Sequence, residues 1–218
     1  MRYPRKWQLA AVCLLALALL PFAPARRGTA QAPGYTITDL GTLGGGAGLE
    51  SRAFGLDECG RVVGESQAAA GASAPYRPFL WDGQTLTDLG TLGGNTGVAA
   101  ALNQGGTIVG SSLTSGSLLH PFVRTPAGTM QDIGVLGGYS AEAQDINASG
   151  LVVGQTEDGA FQDRAFVWQS GTGMRAMTAP WGTPIRAYGI NDAGQVAGSA
   201  NLPTSGTHAF VTVGGVAV

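Results

Sequence analysis

The chain has 218 residues, of which 44% are hydrophobic and only 12% charged, with 36 glycines. Its one lysine, Lys6, stands near the N-terminus, and the arginines after residue 30 are scattered rather than clustered. This excludes a phosphate-neutralising nucleic-acid surface, Schiff-base chemistry and a Walker-type phosphate loop, each of which needs cations that the chain does not supply.

Residues 1 to 30 are expected to be a secretory signal peptide. Arg2, Arg5 and Lys6 precede LAAVCLLALALL, an apolar core too short to span a bilayer, and small-x-small cleavage sites end at Ala25 and Ala30. Cleavage leaves seven arginines against fourteen carboxylates, so the mature chain is acidic, with a net charge near −7. Secretion to the extracellular space follows as the expected destination, with no stable membrane span after the signal is removed.

Residues 31 to 218 read as a single repeat domain. Four hairpin sequences, GLDECGRVVGE, ALNQGGTIVGS, DINASGLVVGQ and GINDAGQVAGS, place Asp57, Asn103, Asn147 and Asn191 in one register at steps of 46, 44 and 44 residues. A period in that range signals stacked or radially arranged supersecondary units. Asn or Asp opening the turn accepts a backbone N–H, and Gly60, Gly106, Gly150 and Gly194 close it in the left-handed conformation. Calcium ligation by these Asx residues is disfavoured, since each turn offers one or two oxygens where a calcium loop gathers several.

Downstream of each hairpin come RPFLW, HPFVR, RAFVW and HAFVT, carrying Phe79, Phe122, Phe166 and Phe210. TLTDLGTLGG and TMQDIGVLGG follow the first two, and a similar YTITDLGTLGG precedes the first hairpin. Short segments rich in β-branched and aromatic residues, separated by Gly-rich turns and free of helical periodicity, predict an all-β protein. The expected architecture is a β-propeller-like array of four four-stranded antiparallel blades. The alanines at 53, 99, 143 and 187 would open the crowded inner strands, and the phenylalanines would fill the wider outer space. Counting Tyr35–Leu40 as a strand gives sixteen, enough for that N-terminal strand to complete the fourth blade and close the ring.

The GTLGG elements, the I-N-x-x-G-x-V-V-G hairpin and the intact His208-Ala209-Phe210 tripeptide resemble the bacterial HAF repeat proteins over roughly residues 35 to 218. The resemblance implies an exported extracellular repeat protein with no settled activity. The chain departs from the pattern where RPF, HPF and RAF replace HAF, and where TAPWG at residues 178 to 182 replaces GTLGG.

Arg77, His120, Arg164 and His208 share one register at the start of the third segment. They form a candidate ring for an anionic group, set against the plainer reading of strand-end cations paired with local acids. Two histidines on alternate repeats do not supply the four ligands of a structural zinc site, and no metal or other cofactor is expected. Asp39, Asp88 and Asp132 share another register, filled by Ala176 in the remaining copy, and are expected to cap the Gly-rich turn that follows. Trp81 and Trp168 are expected to pack between blades, whereas Trp181, in an irregular connection, is a candidate ligand-binding aromatic. Loops between segments two and three vary while the hairpin turns do not, and recognition usually resides in variable loops on a rigid scaffold. The functional expectation is a monomeric, extracellular binding module that recognises a glycan or a protein through Arg77, His120, Arg164, His208 and Trp181. A glycan-active enzyme, hydrolase or lyase, on the same scaffold is the alternative; its carboxylate pair cannot be placed from the sequence.

Overall fold

The computed structural model describes residues 34, 36–69 and 74–213; the signal-peptide expectation falls outside them. Residues from Leu40 onward form one compact unit, which holds all the strands of the described residues. The first sheet comprises β1 (Ser51–Leu56), β2 (Val62–Gln67), β3 (Tyr76–Trp81) and β4 (Leu86–Asp88). The second comprises β5 (Gly93–Leu102), β6 (Ile108–Thr114), β7 (Leu119–Arg124) and β8 (Met130–Asp132). The third comprises β9 (Gly137–Ile146), β10 (Val152–Asp158), β11 (Asp163–Gln169) and β12 (Gly173–Ala176), and the fourth β13 (Thr183–Ile190), β14 (Val196–Leu202) and β15 (Gly206–Val211). Each sheet is an antiparallel meander in sequence order.

The hairpin turns form as their residues dictate. In the third sheet Asn147 Oδ1 accepts the Leu151 N–H at 3.0 Å, and Gly150 closes the turn at φ +83°. The other three turns repeat the left-handed glycine, at φ +79°, +81° and +74° for Gly60, Gly106 and Gly194. Each first strand carries a bulge opposite the glycine of the VVG run or just beside it. Ala99 pairs with Gly110 and Ala101 with Val109, leaving Ala100 as the extra residue; Phe54, Gln144 and Tyr188 hold that place in the other sheets. The glycine is required because a Cβ on Gly110 would overlap the carbonyl oxygen of Val98, and one on Gly154 that of Glu142.

Successive sheets stack face to face through three apolar clusters. Val63 of the first sheet meets Ala99, Ile108 and Phe122 of the second. Val109 and Val123 of the second meet Ala143, Val152, Phe166 and Trp168 of the third. Leu151, Val153, Ala165 and Val167 of the third meet Ala187 and Val196 of the fourth. Val152 thus faces one neighbour and Val153 the other, so a strand covered on both sides reads as an unbroken apolar run. The alanine register is what lets inner strands come close: Ala99 and Ala187 are fully buried. Burying Phe122 or Phe166 completely contributes on the order of 1.5–3 kcal/mol each.

The expected closing strand is corrected. Tyr35 lies outside the described residues, residues 36 to 40 form no strand, and Ile37 is 95% exposed. Among the described residues the fourth sheet therefore has three strands, and no apolar cluster joins it to the first. The physical reason lies in chain closure. β4 and β8 reach their partners through tight local turns and pair at only three positions each. The N-terminal segment would have to recover the entropy of closing a loop the length of the domain for the same three pairs.

Candidate functional site

Antiparallel succession places the β2–β3, β6–β7, β10–β11 and β14–β15 loops on one side of the array and the Asx turns on the other. The Asx side is bound up with itself. The Asn103 side-chain amide donates to the Asn147 carbonyl at 3.1 Å, and the Asn147 amide to the Asn191 carbonyl at 3.1 Å. Asp57 has no amide to offer, and Arg61 bridges instead, bonded to Asp57 Oδ2 at 2.6 Å and to the Gln104 carbonyl at 3.1 Å.

The five residues singled out from the sequence lie on the variable-loop side, but three of them are already engaged. Arg77 Nε meets Asp88 Oδ2 at 3.1 Å, and His120 Nδ1 meets Asp132 Oδ2 at 2.7 Å. The same two aspartates use Oδ1 to accept the N–H of Gly90 and Gly134, at 2.8 Å in each case, which is the expected cap on the Gly-rich turn. Ala176 offers no carboxylate to Arg164, which turns to Asp158 Oδ2 at 2.8 Å. Each of these three side chains is engaged by a carboxylate of its own sheet. His208 is exposed on β15, and Trp181 packs against Phe210 with ring centroids 6.4 Å apart.

Opposite each cation stands a residue the sequence reading did not single out: Ser66, Ser112, Thr156 and Ala200 pair with Arg77, His120, Arg164 and His208. The Ser66 and Ser112 hydroxyls accept the N–H of Leu43 and Leu92, at 3.0 and 3.1 Å, and Thr156 that of Leu136 at 3.4 Å. Each is buried and clips the GTLGG or GVLGG element to the second strand of the sheet that follows it. Where TAPWG replaces that element, Ala200 replaces the hydroxyl.

A cleft of about 340 Å³ opens between the third and fourth sheets on the variable-loop side, lined by Phe161, Gln162, Asp163, Arg164, Thr183, Ile185 and Asn201. Arg164 is the one residue of the five that lines it. The β10–β11 loop forming its rim is organised by Asp158, whose Oδ1 accepts the N–H of Ala160 at 2.8 Å and of Gln162 at 3.0 Å. Those backbone N–H groups, with Arg164 a lesser contributor, hold the Asp158 carboxyl below the usual carboxylate range. In this turn Phe161 adopts φ +58°, and the residue is 59% exposed. The corresponding turn of the second sheet has Ser117 there, at φ +61°. Tyr139, 61% exposed, lies beside Phe161 with centroids 5.3 Å apart and the planes tilted by 32°.

A second hollow, of about 380 Å³, lies along the first strands and includes Phe54, Ala100, Glu142 and Gln144. Glu142 there is held by Gln155 at 2.9 Å. Nearby, Asp145 ties β9 to β13 by accepting the Ile190 N–H at 2.8 Å, and burial pushes its carboxyl above the usual range despite that bond. Among the described residues no group of three or more His, Cys, Asp or Glu is placed to hold a metal ion, and no helix is long and apolar enough to cross a membrane.

No family model and no curated protein sequence matches the chain. Among solved structures, a protein assigned as TolB from Agrobacterium tumefaciens, a propeller fold, superposes with a TM-score of 0.54 at 9% identity. The match covers 72% of this chain and 59% of that one. The chain has a β-propeller-like all-β fold. Its four sheets correspond to blades, and the cleft lies between the third and fourth of them. The sequence reading missed Phe161, Tyr139, Asp163, Thr183 and Asn201. One signal was available: an aromatic residue inside the polar loop TEDGAFQD, at the turn position held by serine one repeat earlier.

Proposed function

We propose that the protein is an exported binding module whose recognition surface is the variable-loop side, centred on the cleft between the third and fourth blades. One observation carries this reading. Phe161 is held in the left-handed region, where a bulky side chain costs roughly 1–2 kcal/mol, and yet presents its ring to solvent at the rim of the cleft. Strain of that kind is retained where a side chain must be displayed. The opposite side supports the choice, because two of its turn amides, those of Asn103 and Asn147, are spent on blade-to-blade hydrogen bonds.

The test is retention of the mature protein on cellulose, chitin, agarose and pectin matrices and on an array of extracellular peptides, compared with Phe161→Ala and Asn191→Ala. Loss of a bound probe on Phe161→Ala with retention on Asn191→Ala supports the reading. Retention on Phe161→Ala with loss on Asn191→Ala places recognition on the other side and overturns it.

A glycan-active enzyme is favoured by one feature of the same rim. Glu157 and Asp163 are directly opposed across β10 and β11, and a facing pair of carboxyl groups is what glycoside hydrolysis uses. Release of reducing ends from a matrix that the protein binds, abolished by Glu157→Gln, would establish that activity over simple binding.

A further inference from the structure

Building on the variable-loop reading, we infer that the cleft and the Tyr139–Phe161 pair together form a binding site for an uncharged oligosaccharide. The two rings supply an apolar platform of a size and tilt that suit the C–H faces of pyranose rings, with Phe161 belonging both to the platform and to the cleft wall. Beyond it the cleft offers the mixed donors and acceptors that sugar hydroxyls need. Among the described residues neither the Asp163 carboxylate nor the Thr183 hydroxyl has a hydrogen-bond partner. Asn201 accepts from Thr207 through Oδ1 at 2.7 Å, which leaves its amide N–H groups for a ligand.

Charge at the rim argues against an acidic ligand. Arg164 is neutralised by Asp158, and Glu157 and Asp163 add two further carboxylates on facing positions of the ladder. One guanidinium among three carboxylates does not attract an anion. The same register holds Gln67 and Tyr76 in the first blade, Leu113 and Leu119 in the second, and Asn201 and Thr207 in the fourth. The third blade alone therefore opposes two like charges here, an arrangement that destabilises a ladder. It does so beside a bulky residue at positive φ. Two local rules are broken within one loop, and the contacts they gain, the Phe161 ring against Tyr139 and the Tyr139 N–H on Glu157, are made at the exposed rim; that marks the loop as shaped for a ligand.

The experiment is calorimetric titration of the mature protein with neutral hexasaccharides of β-1,4-glucose, β-1,4-xylose and α-1,4-glucose, and with the hexamer of galacturonic acid. The titrations are repeated on Tyr139→Ala, Phe161→Ala and Phe161→Trp, with thermal melts establishing that each variant is folded. The expected result is saturable binding of at least one neutral hexamer, weakened about tenfold or more by either alanine, retained by Phe161→Trp, and nearly indifferent to salt because no ion pair forms. Binding confined to the galacturonate hexamer overturns the uncharged class. Neutral binding that neither alanine weakens overturns the site. If no hexamer binds while an extracellular peptide still depends on Phe161, this inference fails and the variable-loop reading stands.

Discussion

The side-chain amide of Asn147 donates to the backbone carbonyl of Asn191, forty-four residues away in sequence and 3.1 Å away in space. Asn147 also holds its own turn through Oδ1. One buried side chain therefore serves the hairpin and the contact between two blades. Asn147→Asp keeps the acceptor, removes the donor and sets a carboxylate against a carbonyl oxygen. We expect a loss of about 1–3 kcal/mol in urea unfolding. Asn191→Asp, whose amide donates only within its own exposed turn to Gln195, is expected to stay within about 0.5 kcal/mol of wild type.

The hydroxyl clip predicts a reciprocal pair of effects. Ser112→Ala strands the Leu92 N–H and is expected to cost about 1 kcal/mol, because a partly buried donor loses its acceptor. Ala200 is fully buried with no GTLGG element beside it, so Ala200→Ser buries a hydroxyl without a matching amide and should also destabilise. Equilibrium unfolding of both variants checks the pair; stabilisation by Ala200→Ser would contradict the assignment.

Gly154 is constrained by space rather than by φ. A Cβ there would meet the Glu142 carbonyl and the Phe166 ring at once, and neither can retreat from a buried interface. Gly154→Ala is expected to cost more than about 4 kcal/mol, in the range reserved for severe overpacking, or to prevent accumulation of folded protein. Gly116→Ala, whose Cβ would meet only the end of Thr114 at ordinary distance, is the control and should melt close to wild type.

Two carboxylates give opposite pH signatures. The pKa of Asp158 is lowered by backbone N–H donors, so its contribution is complete at neutral pH and is lost as pH falls below about 4 toward its folded value. Asp145 is raised by burial, so its contribution is present in acid and is lost as pH rises through its folded value from about 4 upward. Melting temperatures of Asp158→Asn and wild type should therefore converge in acid, and those of Asp145→Asn and wild type should diverge as pH rises from 4 to 7. Parallel curves for either pair would refute the assigned cause.

The strand and turn pattern was legible in the sequence because its causes are local. Asn147 and Gly150 make the same turn wherever the chain places them, and the run of Val152 and Val153 announces a strand covered on both faces. The cap that Asp88 and Asp132 provide is likewise a contact over two residues. Tertiary structure decided everything that depends on residues a full repeat apart. The amide ladder from Asn103 to Asn191 exists only because the blades stack in register. Arg164 turns to Asp158 because Ala176 lacks the carboxylate its neighbours use. Residues 36 to 40 carry the sequence of a fourth strand but form none, and joining the fourth sheet would close a domain-length loop where β4 and β8 close only short turns. Phe161 and Asn201 share a cleft wall because two blades meet there, a proximity set by packing between β-sheets rather than by any spacing along the chain.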